Sequence, residues 1–398
     1  MSHEAKTVKA PQDAVTTKEK KTRDPLFHII KRSELVWWKG WLIRLCAILA
    51  AMLLSGLLVL FLTKLSPVTF FTTMFHGVFG TKDNFMVVLE EVAVLLCVSL
   101  AVTPAFKMRF WNTGAEGQAL IGGLATAICM FYLKGTMPPV LLIVVMFVSS
   151  LVAGALWGMI PAIFKAKWGT NETLFTLMMN YVAMQLIQFF MNIWNKKSAS
   201  IDYWLLDPEQ KIYSLIGSKN ALVKCLFSVI IVAIVTVLIF VYLKYSKHGY
   251  EISVVGESEN TARYIGINVK KVIIRTMILS GAICGLAGFL LVGTSQSISP
   301  NTLSGRGFTA IMVSWLAKFS PFTMIFSAFL FVFLQTGAHE VATLPSLEIS
   351  TALSDIVLGI FLFLIIGCEF FVQYKVLPGA RLKKLFAGKA KKTEEVAK

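Results

Sequence analysis

Charged residues are scarce in this chain. Asp, Glu, Lys and Arg make up 15% of its 398 residues against 56% apolar, and the mean hydropathy is +0.71. A soluble domain carries nearer a quarter charged residues, so the chain lacks the polar surface to cover itself in water. Acidic groups are rarest, 22 against 38 Lys and Arg. The resulting +16 does not signal nucleic acid. The bases gather at the two ends and between apolar runs, and do not alternate with aromatics on one surface. Cysteine is limited to Cys46, Cys97, Cys129, Cys225, Cys284 and Cys368, none in a Cys-x-x-Cys pair or beside a histidine. Neither a disulfide framework nor a zinc site is therefore expected, and no cofactor is called for. A Gly-x4-Gly-Lys-Ser/Thr phosphate loop is also missing, so ATP hydrolysis or other enzyme activity is not expected of this chain.

Long apolar runs are what the sequence has in quantity. Trp41–Thr63, Val140–Phe164 and Ala221–Leu243 each reach the ~20 residues that cross a ~30 Å hydrocarbon core. Backbone groups find no water there, so the runs must be helices. The expectation is an all-α polytopic membrane protein of about ten transmembrane helices: 41–63, 85–106, 115–133, 140–164, 172–193, 221–243, 273–293, 307–317, 321–337 and 353–372. With both termini inside, the inner segments hold 28 Lys and Arg and the outer ones 8, Arg306 among them; Arg44 and Lys224 in helix ends complete the 38. That imbalance predicts cytoplasmic termini. The chain divides into a basic tail at 1–40, a transmembrane domain at 41–372 and a second basic tail at 373–398, the tails being drawn to anionic membrane lipid. The first apolar run is too long for a signal peptide, so no cleaved leader is expected. Residues 307–317 and 321–337 are short. They read either as two short helices joined at a cytoplasmic turn or as part of a re-entrant element lining a cavity. The loop at 194–220 faces outward with Trp194, Tyr203, Trp204 and Tyr213, an interfacial belt. Gly122, Gly123, Gly154, Gly158, Gly281 and Gly285 suit close helix packing.

Polar side chains in a bilayer need a reason, and two clusters stand out. Thr113-x-x-Glu116 reads as a capping box at the start of a helix, but capping leaves Asn112 and Gln118 unexplained, and a cavity-lining role competes with it. In the second cluster, beginning at Asn171, the residues Glu172, Thr176 and Asn180 recur every fourth position and so share one helix face. A stripe of three on an apolar helix lines a wet path or a seam between helices. Glu90, Glu91 and Asp355 read first as helix-end or packing residues. The loop at 244–272 holds a short helix with Ser258 as N-cap, Glu259 in the first turn and Gly266 as its stop. Two turns are not stable alone, so this helix needs a partner to dock on.

At these residues a family resemblance emerges. Gly249-Tyr250-Glu251, Val255-Gly256 and Ala262-Arg263-Tyr264-x-Gly266-Ile267 resemble the coupling loop of permeases in simple-sugar and nucleoside ABC importers, the branched-chain-amino-acid/ribose-type family. Asn112-x-Gly114-x-Glu116-Gly117-Gln118, Asn171-Glu172 through Met179-Asn180, and Gly307-Phe308-x-Ala310-Ile311-x-Val313 resemble three further blocks of it. The resemblance implies a vitamin-B12-importer-like (type II) ABC permease fold in the bacterial inner membrane. It implies ABC ATPase subunits, a second permease subunit and a substrate-binding lipoprotein as partners. Asn112, Glu116, Gln118, Asn171, Glu172, Thr176, Asn180 and Phe308 would line or gate the path from its cytoplasmic side. Gly249, Glu251, Gly256, Ser258, Ala262, Arg263, Gly266 and Ile267 would couple it to the ATPases. The expected cargo is a nucleoside or simple sugar, with riboflavin or a related ring compound as the alternative. Ser258-Glu259 stands where relatives have Asn-Pro, and Ser314-Trp315-Leu316-Ala317 where they have Ala-Leu-Leu-Gly. A cation-coupled secondary transporter would instead need a titrating carboxylate at Glu172, Glu90 or Asp355, and a membrane scaffold would need none of this.

Overall fold

The computed structural model describes residues 27–31, 37–133, 135–195, 221–295, 297–342 and 352–378. The tail at 1–24, the outer loop from 196 to 220 and the basic run beyond 378 lie outside the described residues. In chain order the elements are β1 (Phe27–Lys31), α1 (Trp37–Thr63), α2 (Pro67–Phe79), α3 (Lys82–Lys107), α4 (Ala115–Leu133), α5 (Pro139–Trp168) and α6 (Glu172–Trp194). They continue with α7 (Ala221–Tyr245), α8 (Lys247–Glu257), α9 (Glu259–Tyr264), α10 (Val269–Ser295), α11 (Arg306–Leu316), α12 (Pro321–Ala342), α13 (Ala352–Gln373) and β2 (Tyr374–Pro378). The chain is thus an all-α membrane protein. Among the described residues nine helices, all but α2, α8, α9 and α11, are long and apolar enough to cross a bilayer.

The tenth expected crossing is not one. Helix α11 has 11 residues and spans only about 16 Å, half the thickness of the hydrocarbon core. The chain reaches it by folding inward after α10, with Ile298 and Leu303 each 1% exposed, so the re-entrant alternative describes this segment. A second half-length helix, α2, occupies what the sequence reads as an outer loop. Its 13 residues open with a proline at the first helical position, where the missing N–H costs nothing. Its phenylalanines fix it to α12, with ring centroids 5.1 Å apart for Phe75 and Phe333 and 6.2 Å for Phe79 and Phe333.

Residues 50–363 form one compact unit. Its interior is α3, α4 and α10. In α10 78% of the apolar window is buried, against 22% in α5, whose remaining face suits lipid. The predicted close approach of small residues is present. A β-carbon at Gly122 would collide with Gly285, and one at Gly154 with Gly281 and Gly285. Without a hydrophobic drive between helices in lipid, such backbone contact supplies the packing.

The other unit comprises residues up to 49 and from 364 onward. Short segments of the two stretches expected as basic tails meet here. Phe27–Lys31 pairs antiparallel with Tyr374–Pro378, Phe27 opposite Pro378 and Lys31 opposite Tyr374. Arg44 also bonds Glu369 at 3.0 Å. Five-residue strands among charged neighbours carry too little periodicity to stand out from a tail.

Candidate functional site

The first site lies at mid-height of the bundle, because the chain turns back there. After α3 ends at Lys107, residues 108–114 climb into the interior, and α4 starts inside the bundle instead of at its edge. Two contacts set the depth: Asn112 Nδ2 donates to Ser280 Oγ at 3.1 Å, near the middle of α10, and Cys97 donates to the Ile283 carbonyl at 3.6 Å. A helix beginning there has first-turn N–H groups that no water can reach. The polar cluster supplies their partners. Asn180 of α6 accepts from Gly117 N at 2.8 Å and donates to the Thr113 carbonyl at 2.9 Å. Asn112 accepts from Gly114 N at 3.1 Å, and its amide pairs reciprocally with that of Gln118 at 3.2 Å each way. Thr113 donates to the Thr173 carbonyl and meets the Thr176 hydroxyl, both at 3.0 Å. Asn112, Gln118, Thr176 and Asn180 are all at most 3% exposed. These four residues, expected from the sequence to line or gate the path, lie together between the starts of α4 and α6 and the Ser280 turn of α10.

The capping box does not form. The Thr113 hydroxyl is engaged on α6, and Glu116 caps a different helix. Its carboxylate, on a residue 1% exposed, accepts from Gly305 N at 3.0 Å and Gly307 N at 2.7 Å, the two backbone donors that open α11. A half-helix starting inside the bundle has a positive N-terminal end, and this buried carboxylate meets it. Position 307 must be glycine for that approach, since a β-carbon would stand 2.6 Å from the Glu116 nitrogen and 2.8 Å from its carboxylate.

Beside this cap lies a second carboxylate contact that the sequence did not single out. Arg306, expected in an outer loop, is buried to 15% side-chain exposure and bonds Glu91 of α3 at 2.8 Å. Helices α3 and α11 then run side by side, the Ser314 hydroxyl donating to the Ser99 carbonyl at 2.8 Å. The signal available was an arginine between two glycines after a polar run, and a Glu-Glu pair inside an apolar one. Glu91, Arg306 and neighbouring residues of α3 and α10 line a cleft of ≈ 200 Å³.

The remaining predicted path residues separate. Asn171 caps α6 by accepting from Thr173 N at 3.1 Å and Leu174 N at 3.2 Å. Glu172 pairs with Lys165 at 2.7 Å across the α5–α6 turn. The stripe of three is therefore split between a helix end and the cluster around Asn112. Phe308 is 41% exposed on α11, on the same face as Trp315 at 50%. Trp315 meets Trp111 with centroids 5.4 Å apart.

At the end of the bundle where α3 finishes, the expected short helix is present, preceded by one the sequence reading missed. Helix α9 has Ser258 as N-cap, its hydroxyl accepting from Thr261 N at 3.3 Å, and the chain leaves it through Gly266 at φ +86. Ala262 is fully buried, Ile267 packs on the core, and Arg263 is exposed, bonded to Glu259 at 3.1 Å. Tyr264 at 92% and Ile265 at 50% project outward. Helix α8 holds this element against the bundle. Gly249 lies on the Tyr242 and Leu243 carbonyls of α7, and Gly256, two turns on, lies on the Lys107 carbonyl of α3. Glu251 bonds Arg275 of α10 at 2.8 Å. That bond holds the Glu251 carboxyl below its ordinary value, with His248 adding to the effect. The element is therefore pinned to α3, α7 and α10 together.

The family described as branched-chain amino acid transport system / permease component matches residues 84–366. The glucose ABC transporter permease protein TsgB13 of Haloferax volcanii is 27% identical over 351 residues, 85% of this chain and 90% of that protein. The nucleoside ABC transporter permease protein NupB of Lactococcus lactis subsp. cremoris is 28% identical over 308 residues, covering 75% and 83%. Among solved structures, PsaBC from Streptococcus pneumoniae in complex with Fab matches with a TM-score of 0.42 at 12% identity, covering 75% of this chain and 95% of that one.

Proposed function

The chain belongs to the branched-chain amino acid transport system permease family, and from that membership we propose that it forms the translocation path of an ATP-driven importer for nucleosides or simple sugars. Relatives named for glucose and for nucleosides support that cargo. The importer would comprise this chain, a second permease of type II fold, two ATPase subunits on the cytoplasmic face and an extracytoplasmic lipoprotein that delivers the substrate. The orientation is termini-in at the inner membrane, which puts α8 and α9 in the cytoplasm, as the distribution of Lys and Arg favours.

The observation that carries this reading is the attachment of α8. A short exposed helix ending in Tyr264 and Ile265 offers a docking surface. It is tied through Gly256 to the end of α3 and through Glu251 to α10. ATP-driven closure of the partners would displace α9, and α8 would pass the movement to α3 and α10. Of these, α3 packs along α11, and the start of α11 is bonded by Glu91 of α3 and Glu116 of α4. Shifting α3 against α4 would re-aim α11, so α11 is the gate and Glu116 its hinge contact. The central amides of Asn112, Gln118 and Asn180 keep α4 rigid while this happens.

The test replaces Arg263 by Ala, or Gly266 by Val, in the reconstituted importer. Each variant is expected to keep its helical content and its assembly while uptake per ATP hydrolysed falls at least tenfold. Normal coupling in both variants, or uptake that survives ATP depletion and stops with a protonophore, would refute the proposal.

A further inference from the structure

The cleft between α3, α10 and the start of α11 has a composition that the capping of α11 does not require. Two carboxylates line it, and the Arg306–Glu91 pair accounts for one of them. Glu90 is the other, partly buried, and no hydrogen bond or ion pair to its side chain occurs among the described residues. The Thr294 hydroxyl adds a polar group, and Val87, Val94 and Leu291 form an apolar wall. A carboxylate without a partner inside a membrane domain is costly and marks a functional position.

Three physical consequences follow from this set. The ionised groups of the cleft sum to one negative charge, since Arg306 is neutralised by Glu91. Anions are repelled, and the guanidinium is not free to clamp a phosphate or a carboxylate. The carboxylates are acceptors only, so they suit a ligand that presents hydroxyl donors. The apolar wall suits the C–H face of a ring, and ≈ 200 Å³ is below the ~300–1,000 Å³ of a drug-sized pocket, room for a single ring.

We propose that this cleft is the glycosyl subsite of the path, taking a neutral ring with adjacent hydroxyls on Glu90 and Glu91 and excluding phosphorylated and carboxylated compounds. The assignment rests on the importer reading given above and adds where the cargo is held and by which of its groups. Ring hydroxyls competing for Glu91 would also loosen Arg306, so that loading the subsite weakens one of the two contacts that hold the start of α11.

The test uses the assembled importer in proteoliposomes, with Thr294→Cys as reporter and Val87→Cys as a second reporter should the first disturb folding. Modification by a membrane-impermeant maleimide is quantified on the peptide that carries the new cysteine. Guanosine and glucose are the neutral probes, and guanosine 5′-monophosphate is the charged one. The expected result is labelling that guanosine or glucose slows several-fold and the monophosphate does not, with the protecting concentration rising about tenfold in Glu90→Gln. A cleft that never labels, protection by the monophosphate equal to that by guanosine, or protection unaltered in Glu90→Gln would overturn the subsite. Protection is read without ATP as well as with it. Intact protection in vesicles that show no ATP-driven uptake would sustain the subsite and overturn the importer reading alone.

Discussion

Removing the Glu116 carboxylate should release the start of α11. Two backbone N–H groups, of Gly305 at 3.0 Å and Gly307 at 2.7 Å, end on that carboxylate. Hydrogen bonds to a charged group contribute about 1.5–3 kcal/mol each, and part of this is offset because a buried carboxylate is itself costly to desolvate. A net loss of about 2–4 kcal/mol is therefore expected in Glu116→Ala, and with tenfold per 1.4 kcal/mol local opening becomes roughly 30- to 1,000-fold more frequent. Hydrogen exchange of peptides across residues 297–316 reads that opening directly. Glu116→Gln keeps one acceptor and turns an amide N–H toward a backbone donor, so about a tenfold change is expected there. The effect should stay in α11, because α4 is held separately by Asn180 and Asn112. Wild-type protection of α11 in Glu116→Ala, or an equal loss across α4, would refute the reasoning.

Two further outcomes are expected. Gly154→Val puts methyl groups against the Gly281 and Gly285 backbone, and such overpacking costs roughly 1–3 kcal/mol, so the monodisperse fraction after detergent extraction should fall sharply while Leu156→Val on the exposed face leaves it unchanged. The Glu251–Arg275 bond keeps the Glu251 carboxyl below its ordinary 4.5. The bond therefore contributes fully above that value and is lost as pH falls through the lower folded one. Wild type and Glu251→Gln should differ in thermal stability at neutral pH and converge once the pH has fallen below that lowered folded value, and a difference that persists in stronger acid would count against the bond.

Much of this protein was readable from its residues. Nine spans follow from the apolar runs, and α9 follows from Ser258 and Gly266, because a cap and a stop act locally. What the sequence could not give was depth. Asn112 sits five residues past the end of α3, and nothing local indicates that residues 108–114 turn inward instead of along the surface. The fact is fixed by Ser280, distant in sequence. Glu116 has the spacing of a capping box with Thr113, and the pattern is satisfied equally well by a carboxylate that serves another helix. Arg306 looked like an outer-loop charge because arginine in the interior is exceptional, and its partner Glu91 comes from α3. Helices α2 and α8 were missed for a different reason: each is under fourteen residues, and Thr, His and Gly in them mask the period that identifies longer helices.

The central polar residues also show why their type alone does not separate a path from a joint. A cavity for a hydrophilic cargo and a helix that begins in mid-membrane both demand amides and carboxylates where lipid would otherwise lie, one to meet the cargo and the other to meet stranded N–H groups. Saturation distinguishes them. The amides of Asn112, Gln118 and Asn180 are bonded within the protein, and opening them to a substrate would strand the first turn of α4. Glu90, a few residues from the middle of α3, has no such obligation. Asn112, Gln118, Asn180 and Glu116 hold the broken helices together, and in the proposed importer the face of α3 that carries Glu90 and Glu91 would be the part that meets the cargo. Helix α3 then links the two ends of the mechanism, with the cleft along its first half and the Gly256 contact on the Lys107 carbonyl at its last residue.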